Sequence, residues 1–316
     1  MKVSFVIPCY GSEKTLRYVV DEIISAVKDR GDTYEIILVN DCSPDNVFGV
    51  IQELCRDDSN IKGICLAKNF GQHAALMAGY AQCTGSIIVS ADDDGQTPLD
   101  ETYSLIDKLN SGYDVVYGTY PVKRHSRFRN FGSRINEIMM ECLMNKPKGL
   151  HMTSFFAAKA FVIKECLQYK CAYPYVLGLV LRTTKSIANV PVNHRSRMEG
   201  ASGYSISKLV SLWVNGFTAF SVKPLRIASI TGVLSALIGF VFIVYTVVNK
   251  FIHPDVPMGY SSLMAAMLLI GGIIMLILGL IGEYIGRIYI CLNNSPQYVI
   301  REKINIDPKV NNNERS

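Results

Sequence analysis

Hydrophobic positions in the first two hundred residues fall into short dense runs separated by stretches with helical spacing. Val3–Ile7 reads as an apolar strand, and the segment from about Glu13 to Asp29 as a helix. Tyr34–Asn40 reads as a second strand with a helix after it. Ile61–Ala67, Ser86–Ala91 and Asp114–Tyr117 repeat the strand pattern, with helices at about Gln72–Cys83 and Leu99–Asn110 between them. Strands alternating with helices predict an α/β domain, a mostly parallel sheet with helices on both faces. Because the pattern opens as a strand, no cleavable signal peptide is expected.

The pattern changes after residue 204. Ile206, Leu209, Val210, Trp213, Phe217 and Phe220 recur at helical spacing, which predicts an amphipathic helix over 205–222 lying in a membrane interface. Ile227–Val248 and Met258–Gly282 then run 22 and 25 residues without a charge. Each is long enough for a hydrocarbon core of ~30 Å. The expected organisation is a cytosolic domain over 1–204, the interfacial helix, transmembrane helices over 227–249 and 258–282, and a cytosolic tail over 283–316. Lys223 and Arg226 before the hairpin, and Arg287, Arg301 and Lys303 after it, put both termini in the cytoplasm by the positive-inside tendency. That makes a two-span protein of the cell (inner) membrane.

Composition sharpens this. Hydrophobic residues make up 49% of the 316 and charged residues 19%, below the ~25% of soluble domains. A disordered chain or a coiled coil is excluded. Residues 1–114 hold 9 Lys and Arg against 18 Asp and Glu, whereas 115–226 hold 17 against 4. An acidic first third beside a basic middle suits holding a cation and then an anion. The nine cysteines contain no C-x-x-C pair and several sit in apolar runs, so buried reduced thiols are expected.

Ligands of such sheets bind beyond the C-terminal strand ends, and the polar motifs fall there: Pro8-Cys9-Tyr10-Gly11, Asn40-Asp41-Cys42-Ser43-Pro44-Asp45 and Asp92-Asp93-Asp94-Gly95-Gln96. Neither G-x-G-x-x-G after the first strand nor G-x-x-x-x-G-K-[ST] is present, which argues against a dinucleotide or P-loop enzyme. Three consecutive aspartates repel one another unless a cation sits among them. Alternation along an extended segment lets Asp92 and Asp94 share it. Their hard oxygens suit Mg²⁺ or Mn²⁺, with diphosphate oxygens completing the shell.

At these residues the chain resembles the family 2 glycosyltransferases with the GT-A fold. Within them it is similar to the polyprenyl-phosphate branch of dolichol-phosphate mannose synthase, bactoprenol glucosyltransferase and undecaprenyl-phosphate aminoarabinose transferase. The motifs above carry the resemblance. So do Lys68-Asn69-Phe70-Gly71-Gln72-His73-Ala74-Ala75-Leu76, Arg197-x-x-Gly200-x-Ser202-x-Tyr204, Pro224-Leu225-Arg226 and Gly282-Glu283-Tyr284-Ile285-Gly286-Arg287. The resemblance implies that Pro8, Tyr10 and Asp41 line the base pocket, with Asp41 accepting a uracil N–H. It implies that Glu13, Asn69 and Asp93 adjoin the nucleotide, and that Asp92, Asp94 and Gln96 hold the metal. The implied donor is a UDP-sugar and the implied acceptor a polyprenyl phosphate, with a homo-oligomer, by resemblance a tetramer, and no nucleic-acid partner.

The departures are informative. The family's Asn-Glu-Glu after the first motif is here Gly11-Ser12-Glu13. Members carry a central Asp often proposed as base, whereas this chain has no Asp between Asp114 and Asp255. His151 and Ser154 stand in that stretch. A phosphate monoester, with a second pKa of ~6, needs no base; it needs cations. Arg195 and Arg197 are the expected acceptor clamps, with Arg124, Arg127, Arg129 and Lys208 in support. A strand-prone Gln297–Arg301 needs an edge partner, which is the argument for the oligomer.

Two rivals stay open. A processive polysaccharide synthase would need further spans and a Gln-x-x-Arg-Trp signature, and the only Trp, Trp213, does not match it. A catalytically inactive membrane adaptor that keeps the fold is the other.

Overall fold

The computed structural model describes residues 1–120, 141, 146–193, 195, 223–252, 259–293 and 295–306. The expected interfacial helix over 205–222 lies outside the described residues, as do Arg124, Arg127, Arg129, Arg197 and Lys208. The chain divides into two units, Met1–Ile206 with Asn294–Ser316, and Ser207–Asn293.

In the first unit, β1 (Lys2–Cys9), β2 (Thr33–Asn40), β3 (Ile61–Leu66), β4 (Ile87–Ser90), β5 (Val115–Thr119), β6 (Phe156–Lys159), β7 (Ile187–Pro191) and β8 (Ile300–Ile304) form one sheet. Their order is β7-β5-β6-β4-β1-β2-β3-β8. Helices α1 (Leu16–Arg30), α2 (Val47–Asp57), α3 (Gln72–Tyr80), α4 (Thr102–Asn110), α5 (Ala160–Cys166) and α6 (Val176–Thr183) accompany it. This is the α/β, Rossmann-like arrangement expected.

Its central strands are buried on both faces, which is why they read as continuous apolar runs rather than alternating ones. On one face Val3, Phe5, Ile7 and Cys9 join a core with Leu16, Val19, Ile23, Val47, Ile51, Leu105 and Leu109, so α1, α2 and α4 cover it. On the other face α3 lies close. A Cβ added at Gly79 would meet Val6 Cγ1 at 2.4 Å and Val39 Cγ2 at 3.2 Å, so only glycine lets this helix settle there.

Strands β1, β2, β3 and β4 pair in parallel around β1 and β2. The sheet is more mixed than expected, because β6 enters antiparallel between β4 and β5. A second antiparallel addition comes from the C-terminal segment. β8 pairs with β3, with Gly63 opposite Ile304 and Cys65 opposite Glu302. Asn305 Nδ2 donates to the carbonyls of Cys55 (2.6 Å) and Ile61 (2.9 Å), and Gln297 Nε2 to those of Tyr169 and Cys171. The strand whose edge motivated the oligomer expectation thus has a partner in its own chain.

The second unit holds α7 (Lys223–Ile252) and α8 (Tyr260–Leu292). The two helices meet where a Cβ on Gly232 would lie 3.8 Å from Ile277 Cδ1. Among the described residues one stretch, Ile270–Leu292, with mean hydropathy 1.8 over 23 residues, is long and apolar enough to cross a membrane. It continues past Gly282, where the first charge marked the expected end, because Glu283–Leu292 holds no proline to break the helix.

The thiols need one correction. Cys9, Cys42, Cys55, Cys65, Cys83 and Cys166 are free, as expected, but Cys171 and Cys291 are disulfide-bonded. No C-x-x-C pattern marks either of them in the sequence.

Candidate active site

β2, β1 and β4 are neighbours and run the same way, so the loops that follow them share one rim of the sheet. Hydrogen bonds knit these loops together. The Asp41 amide donates to the Cys9 carbonyl at 3.1 Å. The Gly11 amide donates to Ser43 Oγ at 2.8 Å and the Glu13 amide to Asp45 Oδ2 at 2.9 Å, while Glu13 Oε2 accepts from the Asn46 amide at 3.1 Å. Cys42, with φ of 52°, takes a left-handed conformation in the middle of this rim. Non-glycine residues adopt it where surrounding contacts impose it, often at functional sites.

The acidic side chains take different roles. Asp93 turns toward the β1 loop, where Oδ2 accepts from the Tyr10 amide at 2.9 Å and its carbonyl accepts from Thr15 Oγ1 at 2.6 Å. Burial pushes its carboxyl up to about 6, and the neighbouring Asp92 charge adds to this against the pull of the Tyr10 amide. It therefore braces the Tyr10 loop. Asp41 is buried as well. Its two oxygens accept from the Phe70 (2.7 Å) and Gly71 (2.8 Å) amides, so it anchors the turn leading into α3. Burial raises its carboxyl and those two amides work against the rise. Asp45 is held below the ordinary range: burial raises it, but the Ser43 hydroxyl and the Glu13 and Val47 amides outweigh burial.

Asp92 and Asp94 are half-buried and follow β4. Asp92 Oδ1 accepts from Gln72 Nε2 at 2.8 Å, and Oδ2 accepts from Ser154 Oγ. Asp94 Oδ1 accepts from the Gln96 amide at 3.0 Å. Gly95 permits this turn, with φ of +71° that an L side chain would strain. Tyr120, just after β5, sits in the same field. Burial raises its phenol first, and the charges of Asp92 and Asp94 add to it. Among the described residues no three His, Cys, Asp or Glu side chains converge on one point. Two carboxylates and the Gln96 carbonyl, all hard oxygens, fit a divalent cation that takes the rest of its shell from substrate.

Of the other expected residues, Pro8 is buried in β1 beside Val39, whereas Tyr10 is 54% exposed and its ring is open to a ligand. Asn69 is exposed on the turn, flanked by Lys68, whose Nζ lies 5.0 Å from the Phe70 ring. His73 points inward, edge-on to Tyr175 at 4.9 Å, and burial lowers it to about 4, so it is neutral near pH 7. His151 is exposed; its amide donates to Asn189 Oδ1 and its carbonyl accepts from Asn189 Nδ2. Arg195 is partly exposed and already engaged by acids. It pairs with Glu22 at 2.6 Å and Asp100 at 2.7 Å and donates to the Tyr18 hydroxyl at 3.1 Å. Gln72 and Tyr120 were not among the expected site residues. Gln72 sits inside a quoted motif, but no local pattern ties it or Tyr120 to Asp92.

Residues 4–167 match the family model described as Glycosyl transferase family 2. The chain belongs to that family. This glycosyltransferase also matches the model described as GtrB C-terminal hairpin over residues 223–288, the segment of α7 and α8. It is 33% identical over 314 residues to the undecaprenyl-phosphate 4-deoxy-4-formamido-L-arabinose transferase of Yersinia pestis bv. Antiqua (strain Angola), covering 98% of this chain and 96% of that one. The protein of the same name from Yersinia pseudotuberculosis serotype O:3 (strain YPIII) is 32% identical over the same share of each. Among solved structures, a glucosyl-3-phosphoglycerate synthase from Mycobacterium tuberculosis superimposes with TM-score 0.49 at 18% identity, over 67% of this chain and 74% of that one. So distant a likeness carries nothing about ligands.

Proposed function

We propose that this glycosyltransferase moves one sugar from a UDP-sugar to undecaprenyl phosphate at the cytoplasmic face of the inner membrane, with inversion at the anomeric carbon. The observation that supports this most is similarity to undecaprenyl-phosphate sugar transferases along 98% of the chain, hairpin included. In this reading the uracil lies against Tyr10, and the loops braced by Asp93 and Asp41 frame the nucleotide. Asp92, Asp94 and Gln96 would hold Mg²⁺ or Mn²⁺, which when bound supplies positive charge to the departing diphosphate. An oxygen of the lipid phosphate attacks C1, the bond from C1 to the diphosphate oxygen breaks, and UDP leaves with that electron pair. No proton has to be removed from the nucleophile near neutral pH. This accords with a serine, Ser154, rather than an acid beside Asp92. Of the two expected acceptor clamps, Arg197 carries that role here, with Arg124, Arg127, Arg129 and Lys208 in support. Arg195, already paired with Glu22 and Asp100, acts as an anchor of its segment.

The test is incubation of the full chain in membranes with a panel of nucleotide-sugars and undecaprenyl phosphate, reading the lipid product by mass spectrometry. One polyprenyl-phosphate monosaccharide is the expected product. A growing polymer would return the processive reading, and no turnover of any donor would return the adaptor. Orientation has its own measurement. With Ile252→Cys and Val310→Cys made singly, an impermeant maleimide added to intact cells should label the first and not the second. The reverse pattern would overturn the topology.

A further inference from the structure

The carboxylate of Asp92 is gripped on both oxygens by side chains from distant parts of the chain. Gln72 Nε2, on the first residue of α3, donates to Oδ1 at 2.8 Å, and Ser154 Oγ, ahead of β6, donates to Oδ2. Both donors are themselves held. Gln72 follows Gly71, whose amide is bound to Asp41 and whose φ of +91° sets the entry to α3. Ser154 lies between Thr153, whose hydroxyl donates to the Gly118 carbonyl at 2.8 Å, and the fully buried Phe155. We propose that Gln72 and Ser154 are positioning residues that fix the Asp92 carboxylate for cation binding.

The physical case starts from the aspartate torsion. Rotation about the bond to a carboxylate is soft and broadly populated, so an unsupported Asp presents its oxygens in many orientations. One donor on each oxygen removes that freedom. A carboxylate oxygen has more than one lone pair, so accepting one donor does not by itself exclude a cation. Both donors are neutral, so they orient the carboxylate without competing for its charge as Lys or Arg would. Such outer partners usually shift cation affinity by about 10–100-fold. The inference rests on the cation reading of Asp92 and Asp94.

The experiment measures Mn²⁺ binding to the purified full chain with UDP, by electron paramagnetic resonance of free Mn²⁺. Gln72→Met and Ser154→Ala should each weaken Mn²⁺ about 10-fold, and Ser154→Thr, which keeps the hydroxyl, should stay near the parent. The double variant should fall short of the product of the two losses, because both donors hold one carboxylate. UDP affinity without metal should be unchanged in all three single variants. Asp94→Asn is the reference. If it keeps parental Mn²⁺ affinity, the cation reading itself fails. If it loses Mn²⁺ while Gln72→Met and Ser154→Ala bind as the parent does, the positioning role is overturned. Equal weakening of UDP binding with and without Mn²⁺ would also overturn it, since that is the mark of a general structural role.

Discussion

The two ends of one sheet treat their buried acids in opposite ways. At the end where β1 and β2 begin, Glu35 is 2% exposed and surrounded by donors. It pairs with Lys62 at 2.8 Å and Lys2 at 3.1 Å, and accepts from the Ser4 hydroxyl, the Thr84 hydroxyl and amide, and the Gly85 amide. Burial would raise its carboxyl, but Lys62 first, then Ser4 and Thr84, hold it at about 2. At the opposite rim Asp41 and Asp93 receive neutral donors, with no Lys or Arg beside either among the described residues, and both are raised. Removing a buried acid that the protein supplies with cations destabilises the fold, because the cations are left unpaired. Acids left without them keep negative potential for a ligand that brings its own cation.

The contrast breaks first at Asp94. Asp94→Asn should abolish turnover and weaken UDP binding while leaving the melting temperature near the parent, and chelation of the parent should do the same. Turnover at parental rates without metal would put Asp94 in the structural class with Glu35.

Next in size is the effect on stability. Glu35→Gln should cost about 2 kcal/mol, the scale of a lost charged acceptor, seen as a lower melting temperature in detergent. The pH dependence has a definite sign. Glu35 titrates in the fold below its unfolded value of ~4.3. Its contribution is therefore complete above ~4.3 and is lost as pH falls toward about 2. Asp93 runs the other way. Its folded value, about 6, lies above the unfolded ~3.9, so its contribution is complete at low pH and lost as pH rises through about 6. Asp93→Asn should therefore melt at or above the parent at pH 7.5, with the difference shrinking below pH 6. Destabilisation at pH 7.5 as large as that of Glu35→Gln would erase the distinction.

The smallest effect is expected at the stretch that lacks the family's acid. His151→Ala and Ser154→Ala should each lower kcat by less than ~100-fold, the low end for losing a general base. His151 is exposed and its backbone is tied to Asn189, and Ser154 donates to Asp92. A dead His151→Ala enzyme would mean a hydroxyl nucleophile and a different class of acceptor.

Much of the frame was legible before any coordinates. The dense apolar runs became β1 to β5, because strands buried on both faces leave no polar alternation to confuse the reading. Helical spacing located α1 to α4, and the acidic motifs fell at the C-terminal strand ends, where parallel α/β sheets place their ligands. The hairpin was visible for the same reason as the strands, as uninterrupted apolar length.

Tertiary structure decided what depends on partners far away in the chain. β6 is four residues long and has no period of its own; its place between β4 and β5 comes from register with both. β8 reads as an exposed strand until β3, more than two hundred residues upstream, accepts it. The same holds for the acids. Three adjacent aspartates look equivalent in the sequence, yet the turn at Gly95 and the loops around it send Asp93 to the Tyr10 amide and Asp92 to Gln72 and Ser154. Local spacing determines which residues reach the rim. Which carboxylate braces a loop and which faces a ligand follows from the donors that distant segments bring to it, and a linear pattern does not carry those distances.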